Sequence, residues 1–334
     1  MRVRLVGHRG EPHMNTGSSG PWHEFTEELK SKGCEIVQDD FGTHIDLLIA
    51  NSHSWKAVQE AKKSNLDQSM KHLLLWEPPI IDYKRHKKST FKQYGTIWSP
   101  TIYWAKGQNT RIFKWPQLLL EKQDESLEKW ALRENKSAMV LANKFSAFHG
   151  ELYSLRRELG IKTSKNSIMD LYGDKWNLNK MYSYRHYFGN LVRTPVRKIS
   201  LKSWRYVGSQ QKNYKGISKD KAKTCRKYRI VVVLENSIDY ISEKFFDAFA
   251  SGSIVIYVGP SLNQFGIPDE SAILVEPNVK SILEKIIEIT NLEIEEQYEI
   301  SRNQQKSILS VSSEWYCNVV LKKLANDIYL NSKE

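Results

Sequence analysis

The chain has 334 residues, enough for about two domains of ordinary size. Apolar residues at 40% and aromatics at 11% can build real cores, which excludes wholesale disorder. An excess of 50 basic over 38 acidic residues gives a formal net charge of +12, which favours polyanionic partners without choosing among nucleic acid, anionic lipid and phosphorylated substrates.

Val3 to Val6 reads as a first strand, followed by a polar turn at Gly7, His8, Arg9 and Gly10. Trp22, Phe25 and Leu29 mark one face of a helix that Gly33 should stop. Cys34 to Val37 and Ile45 to Ala50 are short strands, Ser54 to Lys63 is helical in pattern, and His72 to Trp76 is a buried strand. Strands alternating with helices predict a parallel sheet covered on both faces. The His72–Trp76 strand runs into Glu77, Pro78 and Pro79. The prolines end it and place Glu77 at its C-terminal mouth, where a solvated loop carboxylate is the commoner role. Thr96 to Trp98 and Arg111 to Trp115 complete the first half. Trp98, Tyr103, Trp104 and Trp115 form an aromatic group that suits sugar stacking or ordinary packing.

Gln117 to Lys136 is charged and helix-compatible, a connector in pattern, and Ala138 to Ala142 opens a second domain. Lys202 to Arg229 is strongly basic with interleaved aromatics. Such a run is most often a solvated loop, but it also suits single-stranded nucleic acid, a diphosphate or an anionic membrane surface. Val279, Ile282, Leu283, Ile286 and Ile287 form an amphipathic stripe. Ser312 is read as the cap of a last helix carrying Trp315, Val319 and Leu324, which is expected to return to the first domain.

Between Tyr228 and Pro260 the chain reads as strand, polar loop, short helix and strand. Ile230 to Leu234 is an unbroken apolar run, the pattern of a strand covered on both faces. Glu235 and Asn236 follow, at the strand end where open α/β sheets bind ligands. Ser242 suits an N-cap, Phe245 and Phe249 share a helix face, and Gly252 precedes the strand Ile254 to Val258. Lys244 falls in the first helical turn. There a cation opposes the helix dipole unless it simply points to solvent or an anion sits beside it.

This stretch resembles the donor-binding signature of the α-1,3/1,4-fucosyltransferases, the tenth glycosyltransferase family. The residues that carry the resemblance are Glu235, Asn236, Ser237, Tyr240, Glu243, Lys244, Gly252, Gly259 and Pro260, continued by Ile267, Pro268 and Asp269. Leu234 stands where the family usually has Phe. The LLLWEPP segment resembles the family's Trp-Glu-Ser-Pro stretch, with Pro78 in place of Ser, and Met169 to Gly173 resembles its Val-Asp-x-Tyr/Phe-Gly turn.

The resemblance implies an α/β protein of GT-B architecture, two Rossmann-like domains facing each other across a cleft. Residues 1–136 would form the acceptor domain with its connector, 137–311 the nucleotide-sugar domain, and 312–334 a helix packing back on the first. The implied reaction is inverting transfer of fucose from GDP-fucose to a hydroxyl of an acceptor glycan, in surface polysaccharide or lipopolysaccharide synthesis. Glu77 would be the catalytic base. Donor contacts would come from Asn143, Asn236, Tyr240, Lys244 and Glu243, the last on the ribose. Glu235 would either join them or be structural, pairing Lys244 or capping backbone N–H groups. The family's pyrophosphate arginine aligns with His149, which leaves that task to His149 itself, Arg156 or Arg157. No Asp-x-Asp motif occurs, so no metal is expected to be obligatory, and a divalent ion would at most stimulate.

The expected partners are therefore a nucleotide sugar and an acceptor glycan, with peripheral contact to an anionic membrane and no nucleic acid. Rival readings are a sister transferase using another nucleotide sugar, a basic nucleic-acid-binding protein and an inactive scaffold. Cys34, Cys225 and Cys317 show no metal spacing and read as free thiols of a reducing compartment. Met1 leads directly into a strand, and no stretch has the roughly 20 apolar residues of a membrane span, so a cytoplasmic protein is expected.

Overall fold

The computed structural model describes residues 1–6, 21–37, 41–51, 53–114 and 125–333. The turn at Gly7 to Gly10, Trp115 and the connector residues 117–124 lie outside them. The chain forms two compact units, Met1–Leu119 with Ser312–Glu334, and Leu120–Val311.

The first unit is built on six strands: β1 (Arg2–Val6), β2 (Glu35–Val37), β3 (Leu47–Ala50), β4 (Lys71–Leu74), β5 (Thr96–Ser99) and β6 (Thr110–Ile112). They pair in the order β2-β1-β3-β4-β5-β6, and every pair is parallel. Val3, Leu5, Leu47, Ile49 and Leu74 face a core that the helix Cys317–Asn331 completes with Leu321, Leu324 and Ile328. The C-terminal segment is thus part of this unit's interior. Two details differ from the sequence reading. Ser312 begins a 3-10 turn ending at the buried Trp315, Tyr316 caps the last helix, and Val319 is turned to solvent. The reason is geometric: Val320, Leu321, Leu324 and Ile328 share the helix face that is buried in the core, which leaves Val319 on the other side.

The second unit carries β7 (Glu134–Val140), β8 (Met169–Tyr172), β9 (Tyr228–Leu234), β10 (Ile254–Val258) and β11 (Ile273–Leu274). Their order is β11-β10-β9-β7-β8, again all parallel. β7 starts at Glu134, ahead of the boundary read at residue 137, because Glu134 pairs with Tyr228 on β9. Ile230, Val232 and Leu234 share a core with Leu155, Leu159, Ile282, Ile286 and Ile289. Ile287, counted in the apolar stripe, is half exposed. Across the sheet the helix Glu243–Phe249 packs on β9 and β10, with the Phe245 and Tyr257 rings 5.4 Å apart. Burial on both faces explains the unbroken aliphatic run of β9, each such side chain contributing roughly 1.5–3 kcal/mol.

The chain enters this sheet on β7, moves outward to β8, then crosses back so that β9 lies on the other side of β7. The β7/β9 junction is therefore a topological switch point, with a crevice at the C-terminal strand ends. β7 and β8 approach closely just beyond it. Gly173 has φ +128°, and a Cβ there would lie 2.5 Å from the Leu141 carbonyl oxygen, so only glycine fits.

Candidate functional site

The switch point gathers most of the donor-site residues read from the sequence. β7 leads into Asn143 and β9 into Glu235 and Asn236. Asn143 is buried, with its N–H on the Asp174 carbonyl (2.9 Å), its side-chain amide on the Lys175 carbonyl (3.1 Å), and Oδ1 without a hydrogen-bond partner. The loop after β9 is zipped to the segment before the helix Tyr153–Ser164. Leu152 N–H donates to the Asn236 carbonyl (3.1 Å) and Ile238 N–H to that of Gly150 (3.1 Å).

Glu235 is fully buried and holds Ser242, the N-cap of the next helix, as the sequence suggested. Its carboxylate accepts from Ser242 N–H (3.0 Å) and Ser242 Oγ–H (2.6 Å). The Lys244 ammonium donates to the same Oγ (2.6 Å) and lies 3.6 Å from Glu235 Oε2 and 3.9 Å from Glu243. Lys244 is therefore largely buried and folded back rather than directed to solvent. The ion pair with Glu235 offsets the cost of a cation in a first helical turn. Burial pushes the Glu235 carboxyl up, against the pull of Lys244 and of the two Ser242 hydrogen bonds.

Glu243 is the half-exposed member of this network. Desolvation works to raise its carboxyl, but Lys244 and Lys221 outweigh it and hold the group below the usual carboxylate range. Lys221 comes from the short helix Lys221–Cys225 and lies 3.6 Å from Glu243 and 3.0 Å from Asp247. Burial pulls the Lys221 ammonium down, yet Asp247 and Glu243 more than compensate and raise it. The sequence reading did not single out Lys221. It was one cation in the basic run, and only the docking of its helix beside Glu243 distinguishes it.

The two arginines considered as phosphate ligands are both turned inward. Arg156 Nη2 donates to the carbonyls of Leu234 (2.6 Å) and Glu235 (2.7 Å) and to Asn236 Oδ1 (3.2 Å). Arg157 holds the carbonyls of Lys144 (2.8 Å) and Ser203 (3.1 Å), and burial brings its guanidinium down to about 10. Their fork geometry is used to brace the ends of β7 and β9. His149 is exposed on the loop after β7, its N–H on the Lys198 carbonyl (2.6 Å). Tyr240 is buried beneath the loop.

Glu77 belongs to the first unit. It follows β4 at the C-terminal edge of that sheet and is partly buried, and its carbonyl accepts from His86 Nε2 (2.9 Å). The turn after it is closed by Ile81 and Asp82 N–H groups on the Pro78 carbonyl. Of the expected aromatic group, Trp98 and Trp104 are buried and Tyr103 is exposed. Among the described residues no group of His, Cys, Asp and Glu has a metal-binding arrangement, and no helix is long and apolar enough to cross a membrane.

No protein-family model matches the chain, and no curated protein matches it in sequence. Solved structures do match in fold. An alpha-glucosyltransferase in complex with UDP-glucose and DNA containing an abasic site has a TM-score of 0.57 at 11% identity, covering 98% of this chain and 99% of that one. HepE from Anabaena, in complex with UDP and glucose, has a TM-score of 0.56 at 11% identity, with 99% of each chain covered. A sucrose-phosphate synthase from Thermosynechococcus elongatus gives 0.57 at 11% identity, with 98% and 99% covered. The fold is GT-B, two Rossmann-like units with parallel sheets.

Proposed function

We propose that this chain is a nucleotide-sugar glycosyltransferase, and that its donor is GDP-fucose. The observation that carries the reading is the assembly of Asn143, Asn236, Glu243 and Lys244, with Lys221, at the switch point of a Rossmann-like sheet. Glu243, held ionised by two lysines and half exposed, suits the hydroxyls of a ribose. Lys244 and Lys221 supply cations for a diphosphate that gains charge as it leaves, and the exposed His149 offers a ring N–H to it. Arg156, Tyr240 and Glu235 shape and brace the loop instead of touching the donor. On the acceptor side Glu77 takes the proton of the attacking hydroxyl, the sugar–phosphate bond breaks, and the nucleoside diphosphate departs with the electron pair. The choice of fucose rests on the sequence resemblance to the fucosyltransferases.

A UDP-sugar donor is the second reading, favoured by the fold neighbours solved with UDP or UDP-glucose. A thermal-shift panel of GDP, GDP-fucose, UDP and UDP-glucose separates the two, since a ligand of the folded state must stabilise it. Stabilisation by GDP and GDP-fucose alone is the expected result. Stabilisation only by the uridine ligands would overturn the fucose assignment, and no response to any nucleotide would overturn the transferase reading.

A further inference from the structure

The net charge is concentrated in one excursion of the second unit. Residues 175–219 contain eleven Lys and Arg and no Asp or Glu, leaving 39 basic residues elsewhere against all 38 acidic ones. This excursion also exposes large aliphatic side chains. Val192 and Val196 are each 87% exposed, Leu201 is 89% and Met181 is 79%. Single exposed apolar residues are ordinary, but a cluster of this kind is not.

The cluster is built by local geometry. The helix Lys180–Arg193 packs its inner face, with Tyr187 and Leu191, on a small core containing Phe145 and Val207. Its outer face then presents Met181, Arg185, Phe188 and Val192 at spacings of four, three and four residues. Trp204 is half exposed and meets Phe188 (ring centroids 5.4 Å apart), and Leu201 precedes it by one 3-10 turn. Arg193, Arg197 and Lys202, each next in sequence to Val192, Val196 or Leu201, are exposed as well.

We infer that this surface docks on an anionic lipid bilayer, with the aliphatic side chains and Trp204 entering the interface and the cations on acidic headgroups. A bilayer is favoured because it uses both features at once. Nucleic acid would match the charge but leave Val192, Val196 and Leu201 unused, and a second copy of the chain would meet like charge. The surface is tied to the candidate site. Ser200 N–H donates to the Ala147 carbonyl (2.8 Å), and Ile199 pairs with Phe148, one residue before His149. Docking would hold that strand end near the headgroups, whatever the reaction there.

The test is sedimentation of the full chain with vesicles of phosphatidylcholine alone or mixed with phosphatidylglycerol. Two variants accompany it, Val192→Ser/Val196→Ser/Leu201→Ser and Arg193→Glu/Arg197→Glu/Lys202→Glu. All six positions are exposed, so both variants should fold, which their unfolding temperatures check. The expected result is binding only to the mixed vesicles, weakened by salt, and reduced at least about tenfold in each variant. Failure to bind mixed vesicles, or equal binding to neutral ones, would overturn the inference. So would a serine variant that binds like the wild type, since charge alone would then suffice; binding of a single-stranded oligonucleotide would in that case identify nucleic acid.

Discussion

Glu243 shows how a side chain acquires a role from its neighbours. Lys244 lies 3.9 Å away on the same helical turn, and Lys221, 22 positions earlier in the chain, lies 3.6 Å away. Together they keep an accessible carboxylate ionised. Glu243→Gln removes the charge and keeps the shape. It should weaken nucleotide-sugar binding about tenfold or more, the scale of a hydrogen bond to a charged group, and leave the unfolding temperature nearly unchanged. Titration calorimetry reads the first and a thermal scan the second. The pH sign follows from the depressed carboxyl: the ionised form persists as pH falls through the ordinary Glu range near ~4.3, so donor binding should decline only below it. A decline setting in above that range would sink the ribose role. Lys244 and Glu243 were legible in the sequence as a spaced polar pattern. Lys221 was not, because its contact depends on where a short helix docks.

His72 illustrates the scale of elements. It sits on β4, fully buried, accepting from Trp98 Nε1 of β5 (3.0 Å) and meeting Ser332 Oγ at the end of the last helix (3.4 Å). Burial, helped by the Arg111 charge, pushes its imidazole down to about 4. The unfolded chain therefore takes the proton more readily than the folded one. The stabilisation is present above the ordinary value of 6.5 and is lost as pH falls from there toward about 4. The loss should reach about 3 kcal/mol from this residue, measured by urea unfolding across the window, and His72→Gln should flatten that part of the profile. The inward-facing arginines belong to this scale as well. A sequence shows that Arg156 and Arg157 are cations on a helix. It does not show that carbonyls just beyond β7 and at the end of β9 will claim them, because that depends on how the helix docks on the sheet, and the Leu234 carbonyl lies 78 positions away in the chain.

For the whole molecule, each unit encloses its own core: one closed by Leu321 and its neighbours, the other by Ile282, Ile286 and Ile289. Leu321→Ala should cost about 2–5 kcal/mol and accelerate amide exchange in β1, β3 and β4, leaving β9 and β10 protected. Ile282→Ala should do the reverse. Exchange rising together in both sheets for either variant would show one cooperative unit instead. The net charge is likewise a property of place more than of the total. A total of +12 says only that polyanions attract, whereas one acid-free excursion with uncovered aliphatic side chains names a surface.

The sequence by itself determined the class of fold, because parallel sheets buried on both faces require unbroken aliphatic strands such as Ile230 to Leu234, punctuated by helices. It also placed Glu235 and Asn236 at a strand end, since in such sheets polar residues after an apolar run mark the edge that binds ligands, while Asn143 came from the resemblance to the fucosyltransferases. Only the tertiary structure decided how those residues divide their work. Glu235 proved to hold the N-cap residue Ser242, and Lys244 to pair with Glu235. Whether a polar group serves the fold or faces a ligand depends on which partners packing brings within about 3 Å of it. Ser242 and Lys244 follow Glu235 closely enough for the sequence to offer that pairing as one alternative, but not to choose it over a ligand contact, and Lys221 reaches Glu243 only through the docking of another helix.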